Sequence, residues 1–157
     1  MGTNAITYHI PAKEKQSIII DIQIGVPITI NGYPKETRKN ISSKALIDTG
    51  ATGSSISMKF ALAAQLKTYK RNKIQGFNGI AIVPVYKVDV LLPNDHLLPN
   101  IEVAEFQNNF NFDFIIGIDI LRKGDMALTN ANNEMVFSFR IPPSKTHIDF
   151  VKDEKYH

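Results

Sequence analysis

One segment, residues 45–52 with the sequence ALIDTGAT, combines residue types that could carry out acid–base chemistry. Apolar, strand-like residues lead directly into Asp48, and Gly50 permits backbone geometry that a side chain would block. The pattern places a carboxylate in a confined turn, where it could exchange a proton with a bound substrate. A triplet of Asp, Thr and Gly also arises by chance in roughly a few per cent of chains of this length, so the triplet alone fits an ordinary turn equally well.

Other kinds of site are poorly supported. The chain has no cysteine, which removes disulfides, thiolate zinc sites and thiol nucleophiles. Its four histidines lie far apart without metal-ligand spacing, so we expect neither a metal nor a cofactor. Ser54, Ser55 and Ser57 lack the G-x-S-x-G context of a serine hydrolase, and residues 76–79 (GFNG) have no following Lys-Ser or Lys-Thr for a phosphate-binding loop.

Length and composition indicate one compact domain, because the chain has 157 residues, of which 43% are hydrophobic and 21% charged. No apolar stretch approaches the roughly 20 residues that span a bilayer, and the first residues lack the layout of a secretory signal, so we expect a cytoplasmic protein without membrane contact. The net charge is only +3 and the basic residues are scattered, so nucleic acid is not expected as a partner.

The elements around Asp48 are predicted to be mostly strands. Alternating isoleucines predict a strand over residues 17–24 that Gly25 ends, and residues 26–30 form a second candidate. Residues 31–40 are polar and contain Gly and Pro, so an exposed loop is expected there. Residues 44–47 form a strand that runs into Asp48.

The rest of the chain predicts one longer helix, over residues 58–67, among further strands and turns. Asp119 is expected to cap a short helical turn that Gly124 stops. The remaining elements are a hairpin over 73–92 with its tip at 76–79, a turn-rich link over 93–100, strands over 101–106 and 112–118, and a last hairpin of 126–129 and 135–141 across the turn residues 130–133. We divide the chain into an N-terminal segment (1–16), a domain (17–143) and a mobile or docking tail (144–157).

Three segments in order resemble the retropepsin-like aspartic proteases, the family of the retroviral proteases. They are AspThrGlyAla at 48–51, the hairpin around 76–79, which would be the flap, and the apolar-apolar-Gly-x-Asp pattern followed by Ile-Leu at 115–121. The match covers roughly residues 17–141 and is closer to cellular and bacterial forms than to viral ones. It implies an all-β fold, a closed, mostly antiparallel acid-protease barrel with one or two short helices and one lobe per chain. Ile118 and Thr52 replace the Arg and Asp of the viral forms, so the ion pair that these form across the viral dimer is not expected.

The resemblance also implies an endopeptidase that works as a homodimer on polypeptide substrates. The chain offers one such carboxylate, and a twofold interface would bring Asp48 to face its own copy. Thr49 resembles the residue that braces the two active-site loops, and Gly50 permits the turn. Asp119 matches a structural Asp or Asn rather than a second catalytic acid. The residues implied to bind substrate are Ala51, Gly76, Phe77, Asn78 and Gly79.

Ala51 lacks a hydroxyl that would donate to the carboxylate, so we expect a mildly acidic or neutral pH optimum rather than a strongly acidic one. Ile115, Ile116 and Gly117 are expected to pack under the Asp48 loop. Two alternatives stay open at this stage. One is a retropepsin-like peptide-binding or regulatory module without turnover, and the other is an unrelated small β-barrel that binds a ligand in its interior.

Overall fold

A computed structural model describes residues 4–11, 17–30, 33–76, 79–107 and 109–152. Within these ranges the chain forms ten strands and two short helices. They are β1 (Ala5–Pro11), β2 (Ile19–Ile30), β3 (Tyr33–Ile47), β4 (Ser55–Ser57), α1 (Met58–Ala63), β5 (Lys70–Gly76), β6 (Gly79–Leu91), β7 (Leu97–Phe106), β8 (Phe114–Ile116), α2 (Ile118–Leu121), β9 (Asp125–Ala131) and β10 (Glu134–Arg140).

Six of these strands close into a barrel. The hydrogen-bonded order is β2-β3-β8-β4-β7-β6, and β6 pairs back with β2 at Gly25↔Asp89 and the two preceding positions of β2. The β3–β8 and β4–β7 pairs are parallel, and the other pairs are antiparallel. β5 adds to the outer edge of β6. The predicted fold class, a closed and mostly antiparallel barrel with two short helices, is confirmed.

The isoleucine alternation in β2 explains why this strand lines the barrel. Ile20, Ile22 and Ile24 are buried, whereas Asp21 and Gln23 between them are exposed. The prediction that Gly25 ends the strand is wrong, since β2 continues to Ile30. Gly25 lies where β2 pairs with β3 and β6 at once, so its backbone is held in the ladder on both sides.

The predicted loop over 31–40 is also wrong. β3 begins at Tyr33 and pairs with β2 through Val26↔Lys39 and Thr29↔Pro34, with a register shift between Pro27 and Thr29. Backbone hydrogen bonds in a long hairpin can hold polar residues in strands, so composition alone misjudged this segment. Residues 31 and 32 lie outside the described residues.

The first helix is shorter than predicted and ends at Ala63. Ser57 caps its start, because the Ser57 Oγ accepts a hydrogen bond from the Phe60 N–H at 3.0 Å. Gln65 has a positive φ of 53°, a left-handed conformation that no helix continues through. The predicted link over 93–100 is shorter as well, since β7 already begins at Leu97 after a turn in which Asp95 has a φ of 62°.

The predicted strand over 112–118 is reduced to β8, and α2 follows it directly. Gly117, not Asp119, occupies the N-cap position, and no side chain caps this helix. Asp119 lies in the first turn, where its Oδ1 accepts a hydrogen bond from the Ile120 N–H at 2.9 Å. The expectation that Asp119 caps the helical turn is therefore wrong by two positions.

A three-stranded sheet in the order β1-β10-β9 packs beside the barrel. Phe137 and Phe139 on β10 and Ile6 on β1 belong to the same hydrophobic core as the barrel residues. The last hairpin forms as predicted, with a turn reduced to 132–133. β1, which falls in the segment 1–16, pairs with β10 along seven residues. The division of the chain into segment, domain and tail stays a prediction.

Among the described residues, no helix is long and apolar enough to cross a membrane.

Candidate active site

Asp48 follows the last residue of β3 at one end of the barrel. β3 and β8 run parallel in the register Ile47↔Ile116, so the residues that follow both strands meet at the same edge. The Asp48 N–H continues this ladder with a hydrogen bond to the Ile116 carbonyl at 3.0 Å. This pairing brings Asp48 next to Gly117, as the sequence predicted, with the Asp48 side chain half-buried.

The residues after Asp48 form a tight turn, which we call the active-site turn (residues 48–53). The Gly50 N–H donates to Asp48 Oδ1 at 2.8 Å, and the Ala51 N–H donates to the Asp48 carbonyl at 3.3 Å. A Cβ at Gly50 would lie 3.2 Å from Asp48 Oδ1, so glycine leaves room for this contact. The turn thus orients the carboxylate, and Thr49 and Gly50 are exposed beside it.

Gly117 packs directly against the backbone of the active-site turn. The Ile118 N–H donates to the Ala51 carbonyl at 2.8 Å. A Cβ at Gly117 would lie 2.8 Å from the carbonyl oxygens of both Ala51 and Gly53. Only a residue without a side chain allows the two backbones to approach this closely, which explains the glycine in the segment 115–121.

Ser54 links the two segments and was missed as a site residue from the sequence. Its side chain is 3% exposed, and its Oγ donates to Asp119 Oδ1 at 2.7 Å while accepting from the Gly117 N–H at 3.1 Å. Asp119 therefore holds the turn through Ser54, in agreement with a structural role. The only sequence signal for Ser54 was its position just after the active-site turn. A single serine outside any periodic pattern does not indicate which groups its hydroxyl will contact.

The β5–β6 hairpin extends away from the barrel in the manner of a flap. Residues 79–84 of β6 pair with β5, whereas β7 pairs only from Val85 onward. Ile80 and Ile82 in this arm are 71% and 63% exposed. Gly76 pairs with Gly79, which has a φ of 104°. Phe77 and Asn78, which the sequence assigns to substrate binding, lie outside the described residues.

A buried polar pair lies where this hairpin joins the barrel. The Tyr86 hydroxyl donates to Glu105 Oε2 at 2.6 Å, and both residues are buried. Burial, together with the hydrogen bond and the negative charge of Glu105, raises the pKa of Tyr86 to about 12. Nearby, Lys70 at the start of β5 forms an ion pair with Glu102 on β7 at 2.6 Å. These contacts connect the hairpin to β7.

A cavity of about 580 Å³ lies near the start of β8, at the end of that strand opposite Asp48. Its lining includes Asp21 and Lys44, which form an ion pair at 2.9 Å, and Asp113, which accepts a hydrogen bond from Ser57 Oγ at 2.6 Å. In the part of the chain that the structure describes, no cluster of three or more His, Cys, Asp or Glu side chains could hold a metal ion.

Comparison with solved structures agrees with this architecture. A retropepsin-like aspartic protease from Rickettsia conorii superposes with a TM-score of 0.55 at 11% identity, covering 86% of this chain and 92% of the other. The EIAV protease in complex with the inhibitor HBY-793 gives a TM-score of 0.50 at 17% identity, covering 69% of this chain and 88% of the other. Both comparisons show a retropepsin-like fold.

Comparison with protein families extends this result to the sequence. No curated protein matches the chain significantly. The family model described as "gag-polyprotein putative aspartyl protease" matches residues 26–123, which include the active-site turn, the β5–β6 hairpin and the Gly117 motif. Because this family model matches more than half of the residues and the fold is retropepsin-like, the chain belongs to the gag-polyprotein aspartyl protease family.

Proposed function

We propose that this protein is an aspartic endopeptidase that acts as a homodimer, with Asp48 of each copy forming one catalytic pair. The observation that carries the proposal is the hydrogen bond from the Gly50 N–H to Asp48 Oδ1, in a turn fixed by Gly117. Such a turn presents a carboxylate at the barrel edge with its orientation already set, which lowers the cost of reaching a reactive geometry. One chain supplies one such carboxylate, so the second must come from a partner.

Two adjacent carboxyls that share one proton can carry out both proton transfers of amide hydrolysis. The ionised Asp48 takes a proton from water as the water oxygen bonds to the peptide carbonyl carbon. The protonated Asp48 of the other copy donates its proton to the carbonyl oxygen. Collapse of this adduct breaks the C–N bond as the first Asp48 gives its newly acquired proton to the nitrogen and one hydroxyl of the adduct gives its proton to the other Asp48. The products are one carboxyl and one amine, and the pair again holds one proton.

The substrate in this proposal is an extended peptide held between the active-site turns and the two flaps. A strand-like substrate would add backbone hydrogen bonds to the hairpin arms and place alternate side chains in apolar pockets. The exposed Ile80 and Ile82 on the flap favour apolar residues next to the cleaved bond. Thr49 and Gly50 would act with Asp48, whereas Ala51, Gly76, Phe77, Asn78 and Gly79 would contact the peptide.

Cleavage of a peptide library by purified protein tests this proposal directly. We expect cleavage that a statine-type transition-state mimic blocks and that Asp48→Asn abolishes without loss of folding. Asp21→Asn is the matched control, because this exposed carboxylate pairs with Lys44 on the barrel wall. Cleavage that persists in Asp48→Asn would reject Asp48 as the catalyst. A confirmed dimer without any cleavage would instead favour a peptide-binding module.

The pH dependence gives a separate test of the same site. Because Ala51 offers no hydroxyl to the carboxylate pair, we expect maximal cleavage at mildly acidic to neutral pH. The measurement is kcat/KM against pH with the best peptide from the library. A rate that still rises below about pH 3, under the usual range for an Asp carboxyl, would contradict this expectation.

A further inference from the structure

The flap is a direct continuation of the barrel wall, and the burial pattern of β6 shows which of its two faces continues the barrel interior. Alternate residues of a strand lie on the same face of a sheet. In the barrel part of β6, the residues buried in the core are Tyr86, Val88 and Val90. Lys87 between them is exposed. The interior-facing series runs on into the flap, on a surface that we call the inner face, as Pro84, Ile82 and Ile80.

The flap leaves the barrel at the end where the active-site turn lies. Ser55, which follows that turn by two residues, pairs with Ala104 on β7. Ala104 pairs in turn with Val85, the last β6 residue that β5 covers. The flap therefore begins level with the active-site turn, and its inner face is the side that a peptide lying over this turn would contact.

β5 adds two basic side chains to the inner face. Directly opposite residues of an antiparallel pair share one face of the sheet. Arg71 lies opposite Pro84, and Lys73 lies opposite Ile82. Both basic residues are exposed. The inner face thus combines apolar side chains from β6 with two cations from β5.

Electrostatics agrees with this placement of Arg71. Burial is the main cause that raises the pKa of Tyr86 to about 12, and the positive charge of Arg71 acts against that rise. A cation has this effect only when it is close enough to stabilise the tyrosinate. Since the Tyr86 side chain belongs to the interior-facing series, the Arg71 side chain lies near the base of the inner face.

The cations of the inner face differ from the basic residue on the other face of β5. Lys70 lies opposite Val85 and forms an ion pair with Glu102 at 2.6 Å. Within the described ranges, neither Arg71 nor Lys73 forms an ion pair. Two positive charges therefore face the side where a substrate would lie, without an acidic partner from this part of the chain.

We propose that Arg71 and Lys73 select substrates that carry an acidic side chain about three residues from the cleaved bond. The inference rests on the proposed function, in which the flap tips lie over that bond. Lys73 precedes Gly76, the last residue of β5, by three positions, which is about 10 Å along a strand. An extended peptide beside the flap covers this distance in three residues as well. The twofold-related flap of the partner offers the same cations on the other side of the bond.

The two kinds of side chain on the inner face divide the selection between them. Ile80 and Ile82 favour apolar residues next to the cleaved bond, whereas Arg71 and Lys73 act farther along the peptide. A closed flap excludes water, and the attraction between opposite charges is stronger where water is excluded. The expected order of preference at the outer position is Glu over Gln over Lys, because a lysine there would meet like charges.

Three peptides that differ at one position test this order. They carry Glu, Gln or Lys three residues before an apolar cleavage site, and a second set carries the same change three residues after it. For the wild type, kcat/KM should fall in that order by about two- to fivefold a step, the range of an exposed ion pair. Salt at about 1 M, where the Debye length is about 3 Å, should bring the values together. Equal values in both sets at low salt overturn the proposal.

Charge-removing variants identify the cations responsible. The double variant Arg71→Gln, Lys73→Gln should cleave the Glu and Gln peptides equally. Lys70→Gln is the matched control and should keep the wild-type ratio, because Lys70 lies on the other face of the same strand. Lys73→Glu should favour the Lys peptide over the Glu peptide. A ratio of two peptides on one variant does not depend on how much of the protein is folded or dimeric. A double variant that keeps the full Glu preference overturns the proposal.

Binding to Asp48→Asn separates this inference from the activity, because it needs no cleavage. Fluorescence anisotropy of the labelled Glu and Gln peptides should give the same preference in Kd. If the wild type cleaves neither peptide while Asp48→Asn binds the Glu peptide more tightly, the role of the two cations stands and the proposed function is wrong. If the wild type cleaves both equally and a statine-type mimic blocks it, the function stands and the role of the cations is wrong.

Discussion

At the scale of single residues, the contact between Gly117 and the active-site turn makes a sharp prediction. In Gly117→Ala, the new Cβ would lie 2.8 Å from two backbone carbonyl oxygens, which no side-chain rotation can relieve. We expect a loss of about 1–3 kcal/mol in the free energy of unfolding, as for other overpacked sites, and a large fall in kcat. Urea denaturation and peptide cleavage measure the two effects.

Gly53→Ala is the matched control, because a Cβ at Gly53 would meet nothing within 4 Å. It changes the same active-site turn by the same methyl group, so it should leave both stability and cleavage close to wild type. Equal effects of the two substitutions would show that the close approach at Gly117 is not what positions Asp48.

The Ser54 hydroxyl supports the contact between Gly117 and the active-site turn through hydrogen bonds, whereas Gly117 permits it by having no side chain. Ser54→Ala removes a donor to the half-buried Asp119 and an acceptor for the buried Gly117 N–H. Leaving such groups unpaired should cost about 1–3 kcal/mol in the free energy of unfolding. Ser55→Ala, at the first position of β4, is the control for loss of a hydroxyl. A thermal melt of Ser54→Ala that matches the Ser55→Ala melt would contradict this role.

At the scale of elements, the hydrogen bond from Tyr86 to Glu105 stabilises the junction of the flap with the barrel, and it depends on pH. Burial is the main cause that raises the pKa of Tyr86 to about 12, with Glu105 adding to it and Thr68 and Arg71 acting weakly against it. The unfolded chain releases this proton near the ordinary value of about 10. The stabilisation is therefore complete below about pH 10 and is lost as the pH rises from about 10 to about 12.

Tyr86→Phe should remove this alkaline dependence. At neutral pH the variant leaves Glu105 buried without the Tyr86 donor, so we expect a loss of about 1–3 kcal/mol. Between pH 10 and 12 the gap between wild type and variant should narrow, because only the wild type loses stability through this group. Urea denaturation across this range is the measurement, and a constant gap would show that Tyr86 does not titrate as described.

The sequence predicted those elements whose pattern reports burial directly. The isoleucines of β2 and the apolar residues of β8 revealed strands because their alternation or continuity follows the barrel wall. The sequence did not predict the strand over residues 33–40, because a polar sequence carries no burial signal. The backbone of these residues nevertheless pairs with β2. The prediction also extended α1 past Ala63, because helix propensity carries no signal for the left-handed conformation of Gln65 that ends the helix.

At the scale of the whole molecule, the parallel pair β3–β8 explains how two motifs far apart in sequence come together. Both motifs follow buried strands, and parallel neighbours deliver their ends to one edge. The resemblance to the retropepsin-like proteases predicted that Gly117 packs under the Asp48 loop, whereas the strand pattern alone did not predict the parallel pair. Ser54 escaped prediction because its role depends on which side chains the closed barrel brings within hydrogen-bond reach.

The requirement for two copies of Asp48 predicts how mixed dimers behave. When subunits exchange freely, adding an equal amount of Asp48→Asn chain to wild type should lower the total cleavage rate by about half, because mixed dimers carry only one ionisable Asp48. Cleavage of a fluorogenic peptide at fixed wild-type concentration measures this mixture. A rate that Asp48→Asn does not change would mean that each wild-type chain works independently, which the single carboxylate of its active-site turn does not allow in this mechanism.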